Sequence, residues 1–170
     1  VAAEVREVEI PADALALATL PRVDYTDAFR VHLSAGPLSA GPELSGEDWA
    51  RETFEGAPER TGAGLRCGWT LLGLDLAPRR ADGSVLGWRL RHGEDFAVLA
   101  LDSWIGLSGE LLFRPEPGGL LFATMAELRN PVARAIWAPI APLHRRIVSA
   151  LLRRAAGRVS AGRPACASRG

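Results

Sequence analysis

Not one of the 170 residues is lysine; all 20 basic residues are arginine. A Schiff base needs a primary amine and a Walker-type phosphate loop needs its lysine, so this chain supports neither chemistry. Cysteine is nearly absent, with Cys67 and Cys166 the only two. One pair builds no disulfide framework and neither residue has metal-ligand spacing, so a reduced, cytoplasmic protein is expected. No apolar run reaches the roughly 18 residues of a membrane span. The opening "VAAEVREVEI" carries two glutamates by position 7 and no apolar h-region, unlike a secretory signal. No stable membrane insertion is expected.

Catalytic signatures are also missing. There is no G-x-S-x-G elbow and no zinc-spaced cluster of His, Cys and carboxylates. "GAGLRCG" has glycines at 62, 64 and 68, one residue too far apart for a dinucleotide fingerprint. His32, His92 and His144 fall in different elements. Neither a metal nor a cofactor is expected.

The formal net charge is zero, which argues against a generally acidic or basic partner. Its distribution is uneven. Residues 1–128 hold eleven arginines and all twenty acids, a net of −9; residues 129–170 hold nine arginines and no acid, a net of +9. The fold is expected to bring these parts together.

Along the chain, residues 1–21 read as an N-terminal extension. "DAFRVHLS", residues 27–34, alternates with period two, Ala28, Arg30 and His32 opposing Phe29, Val31 and Leu33, which predicts a strand with one buried side. "AGPLSAGPELSG" supplies turns. Ser45 and Asp48 suit a capping box ahead of a helix ending at Gly56. Leu65, Trp69 and Leu72 are spaced for a second helix, made poor by glycines 62, 64, 68 and 73. From Gly83 to Leu128, apolar segments punctuated by "HGED" and "PEPGG" predict an antiparallel meander of about four strands. "NPVARAIWAPIAPLHRRIVSALLRRAA" then predicts a long helix, with Asn130 as cap and Pro131 in its first turn. Pro139 and Pro142 are expected to kink or divide it, and Gly157 to end it. Residues 157–170 read as a disordered tail, leaving 22–156 as the domain.

On a helical projection Ile140, Leu143, Ile147, Val148 and Leu151 share an arc with His144 near its middle, while Arg145, Arg146 and Arg153 oppose it. This is a helix laid over an apolar surface with its guanidinium groups in water. No helix-turn-helix or finger pattern accompanies it, so no nucleic-acid partner is expected. An acidic protein partner would meet Arg145, Arg146 and Arg153. His144 either packs in the core or projects into a cavity, where it would bind a polar group or move a proton.

The order of strand, two short helices, meander and long C-terminal helix resembles the helix-grip architecture of the START-like (SRPBCC) superfamily. "LRNPVARAIWAPIAPLHRRIVSALLRRAA", with "LGWRL" and "LDSWIGLSGELLFRPE", looks like an uncharacterised bacterial domain family assigned there, whose kind of ending also occurs behind NAD(P)-binding short-chain-dehydrogenase-like modules. The resemblance covers roughly residues 22–156. It implies an α+β fold in which a curved antiparallel sheet wraps the C-terminal helix, with two short helices after the first strand. It also implies a cavity for an apolar small molecule between sheet and helix.

Residues suited to line that cavity are Trp88, Trp104, Ser103, Thr124, Trp137, Ile140, His144 and Ile147. Trp137 precedes His144 by seven residues and so shares its helix side. Asp102 interrupts an apolar strand; it stands either exposed at the strand's end or buried beside His144 as an acid/base partner. Glu110 alternates with Leu111, which favours an outward position. The expected function is binding of an apolar or amphipathic small molecule. Two alternatives stand beside it: a cyclase, dehydratase or isomerase acting through His144, and an interaction module docking an acidic or dehydrogenase-like partner.

Overall fold

A computed structural model describes residues 3–33, 44–78, 82–93 and 95–161. In chain order the elements are β1 (Glu4–Val8), α1 (Ala12–Leu15), β2 (Tyr25–His32), α2 (Gly46–Phe54), α3 (Glu59–Leu71), β3 (Ser84–Val85), β4 (Trp88–His92), β5 (Ala97–Asp102), β6 (Leu107–Glu116), β7 (Gly119–Leu128) and α4 (Pro131–Ser160). The strands form one open antiparallel sheet in the order β1-β2-β7-β6-β5-β4-β3. The molecule is therefore α+β, with a long C-terminal helix against a seven-stranded sheet.

Local signals act as chemistry dictates. The Ser45 hydroxyl accepts from the Asp48 amide and the Asp48 carboxylate accepts from the Ser45 amide, closing the capping box of α2. The Asn130 side chain accepts from the Ala133 amide, and Pro131 opens α4. The β6–β7 hairpin turns at Pro117-Gly118, where Gly118 takes φ +76°. Residues 83–128 hold five strands, one more than expected, because "SVLGWRL" folds on itself between β3 and β4. Glycine 87 makes that turn at φ +95°.

Several boundaries differ from the sequence reading. The first 21 residues are no separate extension: β1 pairs with β2 from Glu4↔His32 to Val8↔Ala28. The strand at 27–34 is thus the second, and α2 and α3 follow that one. Helix α4 continues through Pro139 and Pro142 and past Gly157 to Ser160. Most of "AGPLSAGPELSG" and all of 162–170, including Cys166, lie outside the described residues.

Both faces of the sheet are covered. Phe29, Val31, Leu99, Leu101, Leu111, Phe113, Leu120 and Phe122 face α4, α2 and α3. On the reverse, Ala28, Val98, Leu112, Leu121, Ala123 and Met125 meet Ala14 and a layer drawn from residues 8–23. Glu110 points to this reverse side, as its alternation with Leu111 requires. It is nevertheless buried, because the Thr19 backbone amide and hydroxyl both donate to its carboxylate.

The buried stripe of α4 is Ala133, Trp137, Ala141, Val148, Leu151, Leu152, Ala155 and Ala156. Leu143 and Ile147, assigned to the apolar arc, are exposed at 56% and 37%. Alanines 133, 141, 155 and 156 carry the true contact face, because a small side chain lets the helix axis approach the sheet. The acidic and basic parts of the chain do meet: Arg134 pairs with Asp24, Arg145 with Glu7, and Arg158 with the buried Glu52 of α2. Among the described residues no helix is long and apolar enough to cross a membrane.

Candidate functional site

Extending the β2 alternation back from Phe29 puts Asp27 and Tyr25 on the face that meets α4. The register pairs Asp27 with Thr124 across β2 and β7. Directly over that pair sits His144. Its Nε2 is 3.0 Å from Thr124 Oγ1 and 3.4 Å from Asp27 Oδ2. The Tyr25 hydroxyl donates to the same Asp27 Oδ2 at 2.6 Å. Trp137, two helical turns before His144, lies 5.3 Å from the imidazole, ring centre to ring centre, and meets Tyr25 edge-on at 5.1 Å.

This cluster is almost wholly withdrawn from water. The Asp27 side chain is 1% exposed and that of His144 is 19% exposed. Asp27 Oδ1 and Trp137 Nε1 are buried without a hydrogen-bond partner among the described residues. Buried polar atoms left unpaired cost on the order of 1–3 kcal/mol each, so folding alone does not favour them here. Burial and the Asp27 carboxylate both push the Tyr25 hydroxyl up, so it stays a neutral donor. Burial is the chief cause holding His144 below its ordinary 6.5, with Asp27 opposing and Arg145 assisting.

A pH dependence follows from the sign of that shift. Below 6.5 the unfolded chain takes up a proton at His144 before the folded chain does. The contribution of His144 to stability is therefore complete above 6.5 and is lost as pH falls through its lower folded value. The thermal midpoint should drop from pH 7.5 to 5.5, and His144→Asn should make that drop shallower. Equal slopes in the two proteins would contradict the assignment.

The remaining sequence-derived site residues divide into groups. Thr124, Trp137 and His144 come together as described, and Ile140 packs at the edge of the same helix face. Ile147 does not join them, since it points to water. Trp88 is buried against Trp69 at 5.3 Å, under α3 rather than α4. Asp102, Ser103 and Trp104 lie at the end of β5, away from His144. Leu99 and Leu101 take the α4-facing positions of that strand, so Asp102 falls on the reverse face. Its exposed carboxylate accepts from Ser108 Oγ at 2.6 Å and from Arg129 at 2.9 Å. The partner of His144 is Asp27, not Asp102. The period-two pattern held the signal that would have found it: an acid in register with Phe29 and Val31.

Beside the cluster lies an open groove of about 350 Å³ between β1, β2 and α4. Val5 and Phe29 form its apolar part; Arg145, Arg146, Ser149 and Arg153 form the helix side, with Glu7 opposite. Arg145 is paired with Glu7 at 3.2 Å. Arg146 and Arg153 have no partner among the described residues and share a helix face with Ser149. Comparison with known proteins finds no matching family model, no matching curated protein and no matching solved structure.

Proposed function

We propose that the chain binds a small amphipathic anion in the groove between β1, β2 and α4. The apolar part of the ligand lies over Val5 and Phe29, and its acidic head lies against Arg146 and Arg153. The observation that carries this reading is the groove itself: an apolar strand surface on one side and, on the other, the guanidinium groups of Arg146 and Arg153, unpaired among the described residues. The His144–Asp27–Thr124 cluster adjoins it, Asp27 standing two residues before Phe29 on the same face of β2. Arginine suits the head group because its planar fork matches carboxylate and phosphate oxygens in pairs. A helix-grip architecture is proposed with it, supported by the long C-terminal helix over the sheet and the two short helices between β2 and the meander.

The probe for this site is 8-anilinonaphthalene-1-sulfonate, an apolar ring system with one anionic group. Saturable one-to-one fluorescence enhancement is expected, weakening as salt is raised. The double variant Arg146→Gln/Arg153→Gln should bind about tenfold more weakly, which corresponds to about 1.4 kcal/mol. Arg154→Gln, on the same helix but outside the groove, should bind like the parent. Absence of saturable binding, or equal affinity in the double variant, would refute the proposal.

A second reading is favoured by one specific contact, the 3.4 Å approach of Asp27 Oδ2 to His144 Nε2. A carboxylate beside an imidazole of lowered pKa supports general base chemistry near neutral pH. Under this reading the bound molecule is also a substrate, and His144 moves its proton.

A further inference from the structure

Trp104 is the most exposed large apolar side chain among the described residues, at 86%. It stands in the turn between β5 and β6, and that turn is firmly braced. The Ser103 hydroxyl donates to the Leu72 carbonyl at 2.8 Å and accepts from the Ile105 amide at 3.2 Å. Ser103 also bridges Leu74, and its amide donates to Leu107 O at 2.8 Å. Asn130 Nδ2 donates to the Ile105 carbonyl at 2.9 Å. The indole itself rests on Gly73, where a Cβ would come within 2.5 Å of Trp104 Nε1. Gly73 has φ +67°, so the backbone there also suits glycine. A mobile surface tryptophan would need none of this support. An exposed indole presented from a braced turn offers a flat apolar contact surface.

The ring borders a groove of about 610 Å³, within the range of small-ligand sites. Around it stand Asp75, Asp102 and Arg129, with Thr70 at the α3 end. These groups offer both hydrogen-bond donors and acceptors beside a flat apolar face. Arg129 lies 2.9 Å from Asp102, so that pair is neutral and the three groups carry a net charge of −1. Asp75 keeps a free carboxylate, having no side-chain partner among the described residues. A phosphate would be repelled by that carboxylate, and an organic cation would leave the Arg129 donors without an acceptor. A pyranose meets neither objection: its C–H face lies on the indole, and its hydroxyls reach carboxylate and guanidinium at the rim.

From this arrangement we infer a saccharide-binding site on the Trp104 face, sized for one or two pyranose rings and separate from the α4 groove. The test follows the Trp104 indole N–H resonance in the whole chain. The probes are the methyl glycosides of glucose, galactose, mannose and N-acetylglucosamine, each raised to about 100 mM. At least one should shift that resonance saturably, with half-saturation in the millimolar range. Trp104→Ala should abolish binding of that glycoside, followed by ligand-observed saturation transfer. Asp75→Asn should weaken it by about fivefold, and both exposed-site variants should keep the parent's thermal midpoint. No saturable shift with any of the four would overturn the inference, as would a response to agmatine or tetramethylammonium in their place.

Discussion

Replacing Leu152 by alanine should lower the unfolding free energy by about 2–5 kcal/mol, whereas Leu143→Ala should change it by less than about 0.5 kcal/mol. The chemistry of the two changes is identical and both residues lie on α4; only the face differs. Leu152 is 0% exposed and belongs to the core that the sheet shares with α4. Its truncation removes buried methyl groups and leaves a void that Ala155 and Ala156, also fully buried, cannot fill. Leu143 is 56% exposed, so alanine there removes side-chain surface that is largely in water. Urea unfolding of the two variants measures the difference. Equal losses would mean that α4 is rotated from the position described, and the cluster at His144 would be misplaced with it.

Glycine substitutions should split in sign. Gly46→Ala is expected to cost about 1–3 kcal/mol or more. A Cβ there would meet Ala97 N at 2.5 Å, Phe113 O at 2.6 Å and Phe96 C at 2.9 Å. All three are backbone atoms of the sheet and its flank, so α2 itself must move away. Gly64→Ala and Gly68→Ala on α3 meet nothing within 4 Å. Each should raise stability by about 0.5–1 kcal/mol, because alanine loses less backbone entropy in a helix than glycine. Thermal or urea unfolding of the three variants reads out the contrast directly. Destabilisation by Gly64→Ala would show that α3 is not the helix described.

What the sequence made legible is what short stretches encode. The capping box at Ser45, the start of α4 at Asn130, the alternation of β2 and the turn at "PEPGG" each rest on a few adjacent residues. The glycine-rich α3 was readable in its Leu65, Trp69, Leu72 spacing, although its own propensity is poor. Features set by distant pairing were not readable. Asp27 meets Thr124 only because β2 lies against β7, 97 positions away in register. The reverse layer from residues 8–23 has no strong periodicity, so Glu110 looked like a solvent-facing acid. The phase of α4 was misjudged because Leu143 and Ile147 weigh more in a hydrophobic pattern than the alanines that make the contact. Trp104 and Ser103 were expected to line the cavity under α4. They belong to a braced turn at the far end of β5 rather than to a strand over the cluster.

The amphipathic anion is proposed to lie between β1, β2 and α4, next to His144. The most direct test is the anilinonaphthalene sulfonate titration read residue by residue, at the His144 imidazole nitrogens and the Arg146 and Arg153 Nε–H groups. All three should shift together along one saturation curve while the Trp104 indole stays unmoved. Shifts confined to Trp104, or a bound probe that leaves His144 and both arginines unperturbed, would contradict it.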